Sequence, residues 1–312
     1  MALRQNQLLF GLLILMTGVG AACSNPESVA MPQTPSMAMT ATSFPLPTPP
    51  APTPPLPTPS VEADNPFDTV FDPQEQQVRL QEAIAEYDEV IRLNPEFVEA
   101  YYNRGNAYQA LGLFRRAIQD YDEAVRIDPQ YAPAFANRCK AYQSLRFSQR
   151  AITECNEAMR LDSEIASAYY VRGLAYLYLG QPKRSILDYA EAIRLDPEIA
   201  EIYNYRCETY NYMKQPWNAT ADCDEAIRLD PHYTEAYYNR GAAYYLMGQP
   251  ERAIADFDEA IRLSIISDTE MPYDYLLRST VNTLLGRDAE ALQDMMRAVE
   301  LEFGQRNLPS GP

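Results

Sequence analysis

Apolar and polar residues alternate along most of the chain with the spacing of amphipathic helices. In successive stretches of 34 residues, one apolar-patterned segment is followed by a short turn and then by a second such segment. The second segment often ends at an Asp-Pro pair, and because proline cannot continue a helix it closes one helix and starts the next. Neither helix of a pair can bury its apolar face alone, so the pattern predicts an all-α stack of helix pairs.

The period also sets the predicted boundaries. Five units match one another closely and a sixth follows a four-residue insertion, with predicted spans of 98–131, 132–165, 166–199, 200–233, 234–267 and 272–304. A degenerate unit is predicted at 64–97, where Glu82–Pro95 fits a second helix but Pro66 and Pro73 interrupt the first. Residues 305–312 are predicted to form a tail.

The repeated residues resemble the tetratricopeptide repeat family over about three quarters of the chain. The family pattern has a bulky residue, then Gly, Tyr, Ala, an aromatic residue, Ala and a closing Pro, and the first full unit matches it at Tyr101, Gly105, Tyr108, Ala117, Tyr121, Ala124 and Pro129. The resemblance implies a right-handed superhelical solenoid of antiparallel helix pairs. It also implies that the first helices line a concave groove.

The first 22 residues have the form of a bacterial export signal. Arg4 precedes the apolar run Leu8–Met16, and small residues follow. The end of this segment resembles a lipobox in which Cys23 would carry the lipid, although Gly20 stands where a Leu is usual. Cleavage by an ordinary signal peptidase after Ala22 remains an alternative. We therefore expect an exported protein that is lipid-anchored to a bacterial membrane outside the cytoplasm.

Residues 23–63 form a predicted disordered stalk. The stretch Pro45–Pro59 is more than half proline, which lacks the backbone donors and apolar surface that a packed core needs. Extended as polyproline II, such a stalk could reach on the order of 100 Å. A stalk of this kind would hold the repeat array away from its anchor.

Cysteine occurs in two pairs with the same spacing, Cys139 with Cys155 and Cys207 with Cys223. When the units are aligned, the small position of the first helix carries Gly105, Cys139, Gly173, Cys207, Gly241 and Ser279. The aromatic position of the second helix carries Tyr121, Cys155, Tyr189, Cys223, Phe257 and Met295. The resemblance implies that these two positions touch across the hairpin, so Gly accompanies a ring and Cys accompanies Cys.

Paired cysteines in an exported protein are expected to oxidise, which predicts the disulfides Cys139–Cys155 and Cys207–Cys223. Two pairs of buried, reduced thiols remain an alternative. A zinc site is disfavoured because no second close pair or His completes a tetrahedron. A redox enzyme would need an exposed thiol of low pKa.

Charged residues repeat with the same period. An Arg recurs on the first helix, at Arg104, Arg138, Arg172, Arg206, Arg240 and Arg278. An acid recurs on the second helix, at Asp120, Glu154, Asp188, Asp222, Asp256 and Asp294. We expect each Arg to pair with the acid of its own unit and to fix how the helices stack.

No catalytic chemistry is indicated. The formal net charge of −17 argues against a nucleic-acid partner, which requires clustered Lys and Arg. The single histidine, His232, lies beside a proline in a turn, and no phosphate loop, HExxH pair or serine elbow occurs. The sequence therefore predicts a protein that is not an enzyme and has no cofactor and no metal.

The candidate site is the groove that the resemblance implies. Its projected lining is Tyr102, Asn106, Gln109, Asn137, Tyr170, Tyr178, Asn211, Tyr212, Tyr238 and Tyr245. Tyrosine is an efficient contact residue because it combines a large ring with a polar tip. Some family members hold acidic chaperone tails with a clamp of Lys and Arg, but Tyr102, Ser167 and Val171 occupy those positions here, so that function is not transferred.

Three functions fit these features. The leading hypothesis is a non-catalytic scaffold or adaptor that binds an unknown protein or peptide and touches a membrane only through its lipid anchor. The second is an envelope scaffold that self-associates through its end helices. The third is an accessory protein that binds cell-wall glycans.

Overall fold

The computed structural model describes residues 73–267, 269 and 272–306. The predicted signal segment, Cys23 and the stalk lie outside the described residues. The described part of the chain is helical, with thirteen helices in the order α1 Pro73–Leu93, α2 Val98–Ala110, α3 Phe114–Ile127, α4 Ala132–Ser144, α5 Ser148–Leu161, α6 Ala166–Tyr178, α7 Pro182–Leu195, α8 Ala200–Tyr212, α9 Pro216–Leu229, α10 Thr234–Leu246, α11 Pro250–Ile266, α12 Pro272–Leu284 and α13 Asp288–Arg306.

The helices pack as six successive hairpins, α2 with α3 through to α12 with α13, and each hairpin packs on the next. This confirms the predicted all-α solenoid. None of the helices in the described part of the chain is long and apolar enough to cross a lipid bilayer.

Each turn inside a hairpin has the same hydrogen-bonded form. In the first, the Leu113 amide donates to the Tyr108 carbonyl at 2.8 Å and the Gly112 amide donates to the Gln109 carbonyl at 3.0 Å, which is a Schellman motif. The motif needs one residue in the left-handed conformation, and Gly112 adopts it at φ +73°. Arg146 and Lys214 take the same position at φ +64° and +58°, where a side chain is strained.

The predicted arginine ladder is present in every hairpin. In the first, Arg104 donates to both carboxylate oxygens of Asp120 at 2.8 and 2.6 Å, and its third nitrogen reaches Asp88 on the preceding second helix. The remaining pairs are Arg138–Glu154, Arg172–Asp188, Arg206–Asp222, Arg240–Asp256 and Arg278–Asp294. Because each Asp or Glu is largely buried and the Arg crosses between helices, the ladder fixes both the hairpin and its stacking.

The start of the first helix differs from the sequence expectation. Pro73 starts a single long helix, α1, instead of interrupting one, because the first helical turn tolerates a residue without an N–H donor. Helix α11 continues to Ile266, since no Asp-Pro pair ends it, and the insertion follows.

Candidate functional site

The first helices of the hairpins lie on the inner side of the array. Contacts between neighbouring first helices, such as α4 with α6 and α8 with α10, are more extensive than those between neighbouring second helices. The first helices are therefore closer together, and the array curves with those helices on its concave face.

The concave face has a period of two repeats. Helices α4 and α6 contact each other more extensively than α2 and α4 do. The side chain of Tyr102, on α2, lies between α2 and α4. Its ring is 5.3 Å from that of Tyr131, and its hydroxyl accepts a hydrogen bond from the Asn137 amide at 3.1 Å. Ala136 occupies the position on α4 that is equivalent to Tyr102 on α2, and its small side chain allows α6 to pack closer to α4.

A cleft of about 160 Å³ opens on the concave face where α4, α6 and α8 meet. Its lining combines cations, amides and rings, namely Lys140, Gln143, Ser144, Arg146, Tyr170, Val171, Leu174, Tyr178, Glu201 and Tyr205. A cleft with apolar walls and few polar groups is the usual form of a binding site.

Gln143 is the most unusual residue of this cleft. Its side chain is 7% exposed, yet neither the oxygen nor the nitrogen of its amide has a hydrogen-bond partner. Burying an unpaired amide costs free energy, so an amide in this state at the edge of a cleft is prepared to receive a partner.

Two residues at the register of Gln143 in other repeats also carry an unpaired amide oxygen. Oε1 of Gln109 lies one repeat before it, and Oδ1 of Asn211 lies two repeats after it. The Asn211 side chain donates through Nδ2 to the Asn239 carbonyl at 2.7 Å, which holds its oxygen in place. This register thus carries an amide in the first, second and fourth repeats and Leu177 in the third.

Arg146 and Tyr178 close one side of the cleft. The guanidinium carbon of Arg146 lies 4.3 Å from the centre of the Tyr178 ring, a cation–π contact. Burial raises the pKa of the Tyr178 hydroxyl, and the nearby Arg146 lowers it in part.

Tyr170 and Glu201 form the other side of the cleft. The Tyr170 hydroxyl donates to the Glu201 carboxylate at 2.8 Å. Burial is the main cause that raises the pKa of Tyr170 well above its usual value, so the group stays a donor into the alkaline range. The cleft therefore offers donors and acceptors on opposite sides.

The structure divides the predicted groove residues into two groups. Tyr102, Asn106 and Asn137 bond to one another: the Asn137 amide donates to Asn106 Oδ1 at 2.7 Å, and the Tyr121 hydroxyl donates to the same oxygen at 2.8 Å. These side chains join adjacent repeats.

Tyr238 and Tyr245 pack against the core cluster of the last repeats, and Tyr212 is half-buried. Of the predicted set, Tyr170 and Tyr178 line the cleft, and Gln109 and Asn211 carry the unpaired oxygens.

Sequence reasoning missed Lys140, Gln143 and Arg146. Gln143 stands 34 residues after Gln109, so comparing one register across all repeats would have found it. Arg146 was visible as a charged residue at a turn position that carries Gly in other repeats. Its contact with Tyr178 depends on how two hairpins stack, and the local sequence pattern does not determine that stacking.

The four repeat cysteines form two buried pairs. The sulfur atoms lie 1.95 Å apart in Cys139–Cys155 and 2.03 Å apart in Cys207–Cys223, at bonding distance. The predicted proximity of each pair is confirmed, and oxidation in the cell stays a prediction. His232 is exposed, and the described residues hold no group of His, Cys, Asp or Glu placed to bind a metal ion.

Comparison with known proteins agrees with this architecture. Tetratricopeptide repeat models match residues 98–131, 166–199 and 234–264, and a TPR repeat model matches 76–112. A search of curated protein sequences finds no match.

Solved structures share the fold at low sequence identity. The type IV pilus biogenesis factor PilW is 18% identical, with 66% of this chain and 94% of that chain covered at a TM-score of 0.59. A tetratricopeptide repeat protein from Parabacteroides merdae is 19% identical, with 72% and 87% covered at a TM-score of 0.54. The Cut9–Hcn1 hetero-tetramer of APC/C is 16% identical, with 72% and 43% covered at a TM-score of 0.61.

At these identities the structures support the fold alone. The repeat models, the recurring residues and the stacked hairpins agree with one another. The chain carries tetratricopeptide repeats at several positions, and these stack as a solenoid.

Proposed function

We propose that this chain is a non-catalytic scaffold that holds an extended peptide or protein segment in its concave groove, outside the cytoplasmic membrane. The observation that carries the proposal is the buried, unpaired amide of Gln143 in the cleft between α4, α6 and α8. PilW, which has the same fold, is described as a pilus biogenesis factor, and proteins that take part in assembly fit a scaffold role.

A peptide backbone is the partner that suits this cleft. A glutamine amide has one acceptor and one donor group, the same pair that each peptide unit presents. The rings of Tyr170 and Tyr178 provide apolar contact on either side, and Lys140 and Glu201 provide charges of both signs. The unpaired oxygen of Gln109, at the same register one repeat earlier, could continue the contact along an extended segment.

A peptide library displayed on phage tests the proposal. Selected peptides are measured by fluorescence polarisation on the wild-type chain, on Gln143→Leu, and on the control Gln119→Leu, which changes an exposed residue of α3. Loss of the amide contact should weaken binding about tenfold. The Gln143→Leu variant should also unfold at higher urea concentration than the wild-type chain, because it removes a buried amide that is unpaired in the free protein.

Equal affinity of the wild-type chain and Gln143→Leu would overturn the groove proposal. So would crosslinking of the selected peptides to the second helices. Loss of binding in Gln119→Leu as well would point to a non-specific effect.

The proposal that the protein is displayed outside the cytoplasm is based on its N-terminal sequence. The mass of the intact mature protein tests this part of the proposal. We expect the protein from the membrane fraction to begin at Cys23 and to carry lipid. The Cys23→Ser variant should lose the lipid and leave the membrane fraction. A mature mass that includes residues 1–22 would contradict export by this route.

The end of the array favours one alternative, self-association. Helix α13 exposes a row of apolar side chains at helical spacing: Leu292, Met295, Met296 and Val299, each 51–59% exposed. A further repeat would cover this face, and a second copy could do so here. Sedimentation of Met296→Glu against the wild-type chain tests this alternative, and monomers of both at high concentration would exclude it.

A further inference from the structure

The turns inside the hairpins lie along one edge of the solenoid. The first four of the six turns, residues 110–119, 144–153, 178–187 and 212–221, are named the turn edge, and the last two turns, which contain Glu251, Asp288 and Glu290, are not part of it. The second and third turns touch: one surface pocket is lined by Arg146, Phe147 and Arg150 from the second hairpin and by Tyr178 and Leu179 from the third. Because each hairpin packs on the next, the four turns lie side by side.

The turn edge is basic although the protein is strongly acidic. The four segments contain no Asp or Glu, and they contain seven cations: Arg115, Arg116, Arg146, Arg150, Lys183, Arg184 and Lys214. A surface with these charges attracts anions even when the net charge of the chain is −17.

The opposite edge has the reverse charge. It comprises the loops between hairpins, residues 94–99, 128–133, 162–167, 196–201 and 230–235. These loops contain no Lys or Arg and ten acids: Glu96, Glu99, Asp128, Asp162, Glu164, Asp196, Glu198, Glu201, Asp230 and Glu235. A helix of 13 residues separates the two edges, about 20 Å. This exceeds the Debye length of about 8 Å at physiological salt, so the acidic edge does not cancel the basic one.

Five of the seven cations of the turn edge are not used by ion pairs. Among the described residues, Arg115, Arg116, Arg150, Lys183 and Arg184 form no salt bridge. Arg116 and Arg150 lie over tyrosine rings of their own hairpins, and Arg184 donates to Gln181. In contrast, the arginines near the opposite edge pair with a Glu three residues earlier, namely Arg126, Arg160, Arg194 and Arg228.

Apolar side chains stand among these cations. Leu113, Phe147 and Leu179 are 42–45% exposed, and Trp217, the one tryptophan of the chain, is 72% exposed. Each of the four turns thus contributes at least one large apolar residue, and the third also exposes Leu187. Aromatic and aliphatic residues beside Lys and Arg are typical of surfaces that rest at a membrane interface.

Two of the cations occupy strained backbone positions. Arg146 and Lys214 have positive φ at the turn position where the other four hairpins have Gly. A residue kept in a strained conformation points to a role besides folding. In both cases the substitution adds positive charge to the turn edge.

We propose that the turn edge docks on an anionic membrane surface. The cations bind lipid headgroup phosphates, and Leu113, Phe147, Leu179 and Trp217 enter the headgroup layer. Hairpins about 10 Å apart give four turns a span of about 30 Å, enough for several headgroups. This contact would lay the solenoid on the bilayer with its acidic edge outward, and it is additional to the lipid anchor predicted at Cys23.

Trp217 provides a local probe for the test. The full chain carrying Cys23→Ser, which cannot be lipidated, is mixed with vesicles of phosphatidylcholine with and without phosphatidylglycerol. We expect Trp217 emission to move to shorter wavelength with the anionic vesicles alone, and salt to reverse the change. Binding of the apolar segment Leu8–Met16 to either vesicle does not confuse the result, because the signal reports only the surroundings of Trp217.

Two charge-matched variants make the test specific. Arg115→Gln/Arg150→Gln/Lys183→Gln removes three cations from the turn edge, and Arg126→Gln/Arg160→Gln/Arg194→Gln removes three from the other edge. At about fivefold per cation, the first variant should weaken partitioning on the order of a hundredfold, and the second should retain it.

Equal loss in both variants would overturn the proposal, because only net charge would then matter. An equal Trp217 shift with neutral vesicles would overturn the electrostatic part. A shift that depends on protein concentration without vesicles would assign the turn edge to the acidic edge of a second copy. If Trp217 emission shifts with polyglutamate but not with vesicles, the partner of the turn edge would be an acidic protein instead of a membrane.

Discussion

Tyr121 occupies the space into which a side chain on Gly105 would project. A Cβ atom at position 105 would lie 2.6 Å from Cε1 of the Tyr121 ring, closer than such atoms approach in proteins. The same holds for Gly173 with Tyr189 and for Gly241 with Phe257, each at 2.7 Å. The two cysteine pairs occupy this contact in the second and fourth repeats, so Gly with a ring and Cys with Cys are two ways of filling one site. In the sixth repeat, Ser279 donates to the Ala291 carbonyl and Met295 is 51% exposed.

If the two solutions are equivalent, a third disulfide can be built in the first hairpin. Gly105→Cys alone should destabilise the protein by about 1–3 kcal/mol, because its side chain meets the Tyr121 ring. Adding Tyr121→Cys should restore stability and form a disulfide, seen as a mass lower by two hydrogen atoms. Two free thiols in the double variant would show that the hairpins differ in backbone geometry.

The native pairs should be oxidised and stabilising. Each closes a loop of about 15 residues, which predicts about 3 kcal/mol of stabilisation per disulfide in the chain-entropy model. Urea unfolding with and without reductant measures the difference. Thiol titration of the unfolded, unreduced protein is the independent check, and four reactive repeat thiols would contradict the pairing.

The arginine ladder should contribute unequally to stability. Arg206→Met leaves the buried Asp222 carboxylate without its partner, which should cost about 3 kcal/mol. The control Arg228→Met removes an exposed pair with Glu225 and should change little. Equal urea midpoints for the two variants would show that the ladder does not stabilise the stack.

The strained turn cations should lower the stability of the protein but favour its docking on anionic membranes. Lys214→Gly relieves a left-handed lysine at φ +58° and should stabilise the protein by about 0.5–1 kcal/mol. It should also weaken partitioning onto anionic vesicles. Arg146→Gly should gain less stability, because it also loses the contact with Tyr178. A loss of stability in Lys214→Gly would mean that the lysine makes a compensating contact.

Alkaline pH should destabilise the protein through its buried tyrosines. Burial raises the pKa of Tyr189 and Tyr205 above the ordinary value. Because the folded pKa exceeds the unfolded one, this contribution is complete below about pH 10 and is lost as pH rises further. Urea unfolding at about pH 8 and about pH 10.5 should show the decrease, with a smaller decrease in Tyr189→Phe.

Absorbance at alkaline pH gives a second readout for the same groups. Some of the 23 tyrosines are buried, and these should ionise only when the protein unfolds. Ionisation of all of them near pH 10 without unfolding would contradict the burial.

Much of the fold could be predicted from the local sequence pattern, because each repeat has the same arrangement of apolar, charged and turn residues. The helix pairs, the Arg104–Asp120 ladder and the cysteine pairing all follow from aligning one unit with the next. The start of α1 could not, because Pro73 is tolerated at the first turn of a helix and forbidden only inside one.

The groove was harder to predict than the stack. Tyr102 and Asn137 are groove residues by register, but in the folded chain they bond to each other and join two repeats. Gln143 belongs to the cleft because α4, α6 and α8 converge there and leave its amide unpaired.

The sequence by itself determined the helices, their pairing and the contacts inside each hairpin, since these join residues at fixed short separations within one repeated unit. Only the tertiary structure decided which side chains remain available to a partner. That outcome depends on how far neighbouring hairpins are held apart by Tyr102 or allowed to approach by Ala136, and on the alignment of the turns along one edge. Both are properties of the whole stack and of no single repeat.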